Sequence, residues 1–323
     1  MPKLCRRALL ASALIAATGA ALPAFGQTWP TQPVKLLVAF PPGAPGDVVA
    51  RLVQPHLQQS LGQPVIVDNR PGAGGNIGAQ EVVRATDGHS FLVGPDTMLT
   101  INPHVYRRLA FKPAEDLVPV SYLARFNQLL VCHPSTGHRT LADFVARAQR
   151  ERFAYASGGP GVPGHMAMEM LLSATGTQLD HVPYRGPAPA AQDVLGGAVP
   201  CGFLATPVVG PFVREGRLVG LAVSGSRRTA SLPEVPTVAE AGIAGFDASF
   251  HEIVAAPRGT PQAAIARLQQ ALADALGQPE VRARLAAADL EPVASTPVQA
   301  QQQMRADHAR WKAVAERVEL RLD

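Results

Sequence analysis

The sequence predicts two doubly wound α/β lobes joined by a two-strand hinge. Three observations carry that expectation. Continuous apolar stretches of strand length alternate with Gly- and Pro-rich loops and helix-period segments, the pattern of strands buried on both faces of a parallel sheet. The alternation comes in two series, followed by one late strand and a set of helices, so that the chain leaves one lobe and later returns to it. Across 323 residues, 47% are hydrophobic and 17% charged, a globular balance with no coiled-coil, collagen or solenoid period.

In the first series, Val34-Lys35-Leu36-Leu37-Val38-Ala39-Phe40 is a strand, ended by Pro41-Pro42-Gly43 and followed by a helix with Val49, Leu52, Val53, Leu57 and Leu61 on its apolar positions. Pro64 to Asp68 and then Gly78 to Ala85 repeat the unit, and Ser90 to Gly94 adds a third strand. Val118 to Leu123 reads as a crossover strand. In the second series, Leu129 to Cys132, Phe153 to Ala156, His181 to Tyr184, Val199 to Leu204 and Val219 to Ser224 are strands. Thr140 with Asp143 makes a capping-box start for one intervening helix, and Met166 to Leu172 lies in another. Phe250 to Ala256 leads into helices over 261–276, 280–288 and 297–317. The first and last open on Thr260-Pro261 and Thr296-Pro297, with the hydroxyl as N-cap and proline at the first helical position. The crossings near residues 125 and 250 place residues 27–125 and 251–323 in one lobe and 126–250 in the other.

A formal charge of +4 invites a nucleic-acid reading until the basic residues are located. Lys3, Arg6 and Arg7 precede an apolar run from Ala8 to Leu22, and Ala24-Phe25-Gly26 offers small residues at a cleavage site before Gln27. Residues 1–26 therefore read as a signal peptide. Their removal leaves 26 basic against 25 acidic residues, a net of +1, and no nucleic-acid partner is expected. Cys5 is not placed like a lipoprotein cysteine, and Arg6-Arg7 leaves the general and twin-arginine export routes both open.

Loop Pro41-Pro42-Gly43-Ala44-Pro45-Gly46-Asp47 joins a strand to a helix, which puts free backbone N–H groups and the positive end of the helix dipole where strands end. An anion would sit there; a rigid turn satisfied by Asp47 is the alternative. Arg70 to Gly78 resembles a dinucleotide fingerprint but fails it, because Ile77 stands where the third glycine is required, so close helix–strand packing is expected instead. Tyr155 to His165 is the equivalent turn of the second lobe. Gly-x-Ser-x-Gly and His-Glu-x-x-His are absent, and Ser157 has no recognisable partner order with His165 or Asp180. No catalytic residue, metal site or cofactor is expected.

With these segments assembled, the chain resembles the Bug family, the periplasmic solute receptors of tripartite tricarboxylate transporters, over essentially its whole mature length. The resemblance rests on Trp29-Pro30 and Pro33-Val34, on Phe40-Pro41-Pro42-Gly43-Ala44-Pro45-Gly46-Asp47, and on Val67 to Gly78. It continues through Ile101-Asn102-Pro103, His181 to Gly186, Leu195-Gly196-Gly197, Leu232 to Gly242 and Pro257 to Pro261. It implies a type II periplasmic binding protein fold, no enzymatic activity, a monomer, and closure on a small carboxylate delivered to cognate membrane transporter subunits or sensed by a signalling protein. An exported hydrolase or isomerase is the reading of another class, and it lacks a motif.

The binding residues so implied are Pro42 to Asp47, Asp96, Thr97 and Thr100 in the first lobe. In the second they are Ser157, Gly159, Gly161, Val162, His165, Tyr184, Leu204 and Ala205. Hydroxyls at Thr97 and Thr100 would support the carboxylate, and Asp47 would orient the loop. Departures from the family bear on the ligand. Pro160-Gly161-Val162-Pro163 and Phe203-Leu204-Ala205 stand where relatives carry hydroxyls, an amide and an acid, and His251-Glu252 where they carry Trp and an aromatic residue. A monocarboxylate with an apolar or aromatic body is expected, and the sequence leaves open whether His251 and Glu252 face the cleft. Cys132 lies on the strand entering the second lobe and Cys201 on one that this fold type sets beside it, which makes the pair a candidate disulfide; two buried thiols are the alternative.

Overall fold

The computed structural model describes residues 29–322, so the expected signal segment lies outside the described residues. The chain runs through β1 (Val34–Val38), α1 (Pro45–Leu61), β2 (Val65–Asn69), α2 (Asn76–Val83) and β3 (Ser90–Pro95). Three one-turn helices, α3 (Thr97–Thr100), α4 (Asn102–Val105) and α5 (Pro113–Asp116), precede β4 (Leu117–Phe126). Then follow β5 (Gln128–Cys132), α6 (Leu141–Ala148), β6 (Ala154–Ser157), α7 (Pro163–Thr175), β7 (Asp180–Pro183), α8 (Pro187–Leu195), β8 (Cys201–Ala205), α9 (Thr206–Arg214) and β9 (Val219–Val223). The chain ends with β10 (Phe250–Pro257), α10 (Gln262–Gly277), α11 (Pro279–Ala287), β11 (Glu291–Pro292) and α12 (Pro297–Arg317).

Two sheets result, one ordered β11-β4-β10-β3-β1-β2 and the other β7-β6-β8-β5-β9. Strand alternation covers both faces of each. Val34, Leu36 and Val38 of β1 pack with Val49, Val53 and Leu57 of α1, whereas Leu37 joins Ala79 and Val82 of α2 on the other face. In the second sheet Leu130 and Cys132 pack with Phe144 and Leu171, and Leu129 and Val131 with Ala190, Val194 and Val209. Full burial of each such Leu or Phe stabilises the fold by about 1.5–3 kcal/mol.

β1, β2 and β3 are parallel, as their apolar runs predict, and the antiparallel strands around them make both sheets mixed. β10 runs antiparallel to β3 and β4, and β5 antiparallel to β8 and β9. The reason is the crossing itself: β4 runs toward the junction and ends at Phe126, so β5, starting at Gln128, runs away from it, and β10 does the same on the return. Ser224 stitches the two crossings together, because its Oγ accepts from Gln128 N at 2.9 Å and donates to Ala248 O at 2.7 Å.

One local expectation is also corrected. Thr296 caps α12 in a capping box with Gln299, but Thr260 does not cap α10: Pro261 occupies the cap position and no side chain bonds there. Cys132 and Cys201 are free, buried thiols rather than a disulfide. They stand directly opposite each other in the antiparallel pair β5–β8. Burial raises the Cys201 thiol, and its hydrogen bond with Cys132 lowers the latter.

Candidate ligand-binding cleft

Between the two sheets lies a narrow cavity of about 30 Å³. Phe40, Ala44, Pro45, Gly46, Gly94, Pro95, Phe126 and Glu252 line it from the first sheet and its loops. Gln128, Gly158, Val162, Pro163, Gly164, Pro187, Leu204 and Ala205 line it from the second.

Two loops facing this cavity are built alike. Gly43-Ala44-Pro45-Gly46-Asp47 opens α1, and Gly161-Val162-Pro163-Gly164-His165 opens α7. In each, a left-handed glycine leads into proline at the first helical position, and the fifth side chain reaches back to the amide of the first residue. Asp47 Oδ2 accepts from Gly43 N at 2.9 Å, and His165 Nδ1 accepts from Gly161 N at 3.0 Å. Val48 N and Met166 N make the first bonds back to Ala44 O and Val162 O, so the amides of Gly46, Asp47, Gly164 and His165 have no partner within their helices. In the loop before α1, Gly43 and Ala44 amides are engaged and Pro41, Pro42 and Pro45 have none, which narrows the anion-binding donors there to Gly46 and Asp47.

Asp47 holds its loop through three partners. Besides Gly43, its Oδ1 accepts from Arg51 Nε at 3.0 Å and Asn69 Nδ2 at 2.9 Å. Burial pushes its carboxyl up, but these bonds outweigh that and keep it below the usual carboxylate range.

Several other candidate residues are engaged elsewhere. Thr100 donates its hydroxyl back to Asp96 O at 2.9 Å, which withdraws it from the support role expected of it. The Thr97 hydroxyl is buried and unpartnered, yet Thr97 does not line the cavity. Tyr184 OH bonds Asp193 Oδ2 at 2.5 Å on α8. Ser157 Oγ lies 2.7 Å from His181 Nε2 and donates to Gly159 O at 3.0 Å, while His181 stacks on His165 at 3.9 Å between ring centroids. Ser157 is buried and His181 half-buried, and neither lines the cavity, so their contact braces the turn after β6. Burial, then the charge of His165, pushes His181 down to about 3.

His251 and Glu252, left open by the sequence, part company. His251 turns to Asp96, with Nδ1 3.3 Å from Oδ2. Glu252 instead lines the cavity, 1% exposed, with Oε2 unpartnered. Gln128, also a lining residue and 2% exposed, leaves its Nε2 unpartnered. Sequence reasoning missed Gln128, Phe126, Phe40 and Gly164. The Gly-x-Pro-Gly repeat at 43–46 and 161–164 would have pointed to Gly164; no local signal marked Gln128.

Two α/β lobes, each presenting a helix N-terminus to a shared cleft, define the class of two-lobed solute-binding proteins of the type II periplasmic fold. Residues 49–320 match the family model described as tripartite tricarboxylate transporter family receptor. The chain belongs to that family of periplasmic receptors. It is 36% identical over 304 residues to protein BugT of Bordetella pertussis, covering 93% of each chain. Among solved structures it is similar to Rpa4515 of Rhodopseudomonas palustris, described with adipate, at a TM-score of 0.87 and 33% identity over 91% of this chain and 99% of that one. It also resembles MatC of Rhodopseudomonas palustris, described with bound malate, at a TM-score of 0.84 and 30% identity over 88% and 99%. The relatives are solute-binding receptors rather than enzymes, and the expected fold and family both hold.

Proposed function

We propose that this receptor closes on a small monocarboxylate with an apolar or aromatic body and delivers it to the membrane subunits of a tripartite transporter, without chemical turnover. The observation that carries the reading is the pair of helix N-termini whose free-amide residues Gly46 and Gly164 line one cavity from its two sides, together with Phe40, Phe126, Val162 and Leu204. One carboxylate is accommodated by the amides and dipoles. No Lys, Arg or His lines the cavity, so a second carboxylate would be buried unpaired at a cost of several kcal/mol. The apolar body gains roughly 25 cal/mol per Å² buried.

Closure is supported by contacts across the cleft. Tyr106 OH donates to Pro160 O at 3.0 Å, and a Cβ on Gly186 would lie 2.7 Å from Pro41 Cδ. A cavity of about 30 Å³ is far below the roughly 300–1,000 Å³ of a ligand pocket, so entry requires the lobes to part. The moving bodies in this reading are residues 27–125 with 251–323, and residues 126–250. Calorimetry with benzoate, nicotinate, citrate, succinate, aspartate and glutamate is expected to rank the aromatic monocarboxylates first, and small-angle scattering to give a smaller radius of gyration with the best of them. Tighter binding of citrate or aspartate, or no compaction at saturation, would overturn it.

The receptor is further expected to act as a monomer in the periplasm, beginning at or near Gln27 after signal-peptide removal. N-terminal sequencing of the exported protein checks this, and a start at Met1 in a membrane fraction would contradict it.

A further inference from the structure

The cleft holds two buried polar atoms that the fold leaves unsatisfied, Glu252 Oε2 on β10 and Gln128 Nε2 on β5. Both side chains open on the same cavity from the strands that follow the two crossings. A native fold satisfies nearly all such atoms, so an orphaned pair in a ligand cleft points to groups that a ligand completes. Glu252 has a particular neighbour: its Oε2 would lie 2.6 Å from a Cβ on Gly46, which puts the carboxyl beside the start of α1 and its free amides.

We propose that Glu252 binds the ligand's carboxylate as a neutral acid, donating its O–H to a carboxylate oxygen that Gly46 and Asp47 hold from the helix end. This rests on the carboxylate reading above and adds a specificity residue and a pH dependence to that site. Position decides between the two partners that a glutamate could take. A ligand ammonium next to Glu252 would also face the positive end of α1, whereas a carboxylate there is attracted by the helix and accepts the acid's proton in a charge-assisted bond. Burial, followed by the Asp96 carboxylate, pushes Glu252 well above the ordinary carboxylate range, in keeping with a neutral donor.

The other charged groups on elements packed against β10 have their own partners. Asp47 and Arg51 of α1 pair with each other, His56 of α1 pairs with Glu280, and Glu81 of α2 pairs with Arg70. Arg125 of β4 donates to Ser249 Oγ, and His251, next in sequence, turns to Asp96. No cation on these elements is placed to neutralise an ionised Glu252.

The test uses the full mature chain with benzoate as probe, titrated calorimetrically across pH. Wild-type affinity is expected to be flat at low pH and to fall about tenfold per unit once the pH passes the ionisation of Glu252. Glu252→Leu removes the donor and weakens binding by about tenfold or more. Glu252→Gln restores a neutral donor, recovers affinity to within about threefold of wild type at low pH, and abolishes the pH dependence. A second readout needs no ligand: the infrared band of a protonated carboxyl is present in wild type at neutral pH and missing in Glu252→Gln. Absence of that band in wild type overturns the proposal, as does 4-(aminomethyl)benzoate binding tighter than benzoate with the advantage lost in Glu252→Gln, which would make Glu252 a cation partner. Benzoate binding that is indifferent to both substitutions sinks this proposal and leaves the carboxylate reading standing; a wild type that binds no monocarboxylate at any pH sinks both.

Discussion

Gly164→Ala is expected to destabilise the protein by about 3 kcal/mol, the upper end of the usual cost of overpacking, and to abolish ligand binding with it. A Cβ built on Gly164 falls 2.0 Å from Phe203 O, and 3.2 Å from Gln128 Oε1. The first of these is backbone of β8, paired on both sides in the second sheet, so it cannot rotate away as a side-chain tip would. Relief therefore requires α7 to lift off β8. That movement displaces Val162, Pro163 and Gly164, with its free amide, from the cleft wall. Gly164 is glycine for want of space rather than for its backbone angle, which is not left-handed. Urea unfolding measures the effect; a change of less than about 0.5 kcal/mol, the scale of an ordinary surface substitution, would show that the contact between α7 and β8 is loose.

Asp47→Ala is expected to cost about 2–4 kcal/mol of stability and to weaken carboxylate binding by roughly tenfold to a hundredfold. The substitution strands three donors at once, Gly43 N, Arg51 Nε and Asn69 Nδ2, of which Arg51 is half-exposed and recovers part of its loss in water. Without the bond from Gly43, the loop that aims the Gly46 and Asp47 amides has lost its closure. The sign of the pH dependence follows from the depressed native carboxyl. Its contribution is complete above the ordinary value of 3.8, and is lost as the pH falls through the lower native value. The stability gap between wild type and Asp47→Ala should therefore narrow in acid. A gap that stays constant from pH 6 to pH 2 would assign the effect to packing instead.

Asp47 also marks how far local sequence carries. Its place four residues after Gly43, with proline between, is enough to fix the turn that opens α1, because every partner but Asn69 lies within one turn. The same holds for Thr140 with Asp143 and Thr296 with Gln299, both of which form capping boxes. Thr260 lacks a partner three residues on, and Pro261 takes the cap instead. Apolar stretches placed the central strands β1, β3, β5, β8 and β10 for a related reason: a strand buried on both faces is apolar almost throughout.

Direction and partnership were not local. Antiparallel β5 and β10 follow from the chain reversing at each crossing, and nothing in a five-residue apolar run records which way it points. Cys132 and Cys201 are neighbours as expected, and they stand opposite each other as two free thiols. Thr100 looked free on paper and is used up by the carbonyl one turn behind it.

The sequence by itself determined an α/β chain of two sheets, its family, and the two loops that open α1 and α7, since these depend on periodicity, capping residues and motifs contained in short segments. Only the tertiary structure decided that Glu252 enters the cleft while His251 turns to Asp96, and that Gln128 joins Glu252 there. Adjacent residues of a strand point to opposite sides, and which side meets the cleft depends on how β10 seats between β3 and β4, a relation among residues more than a hundred positions apart.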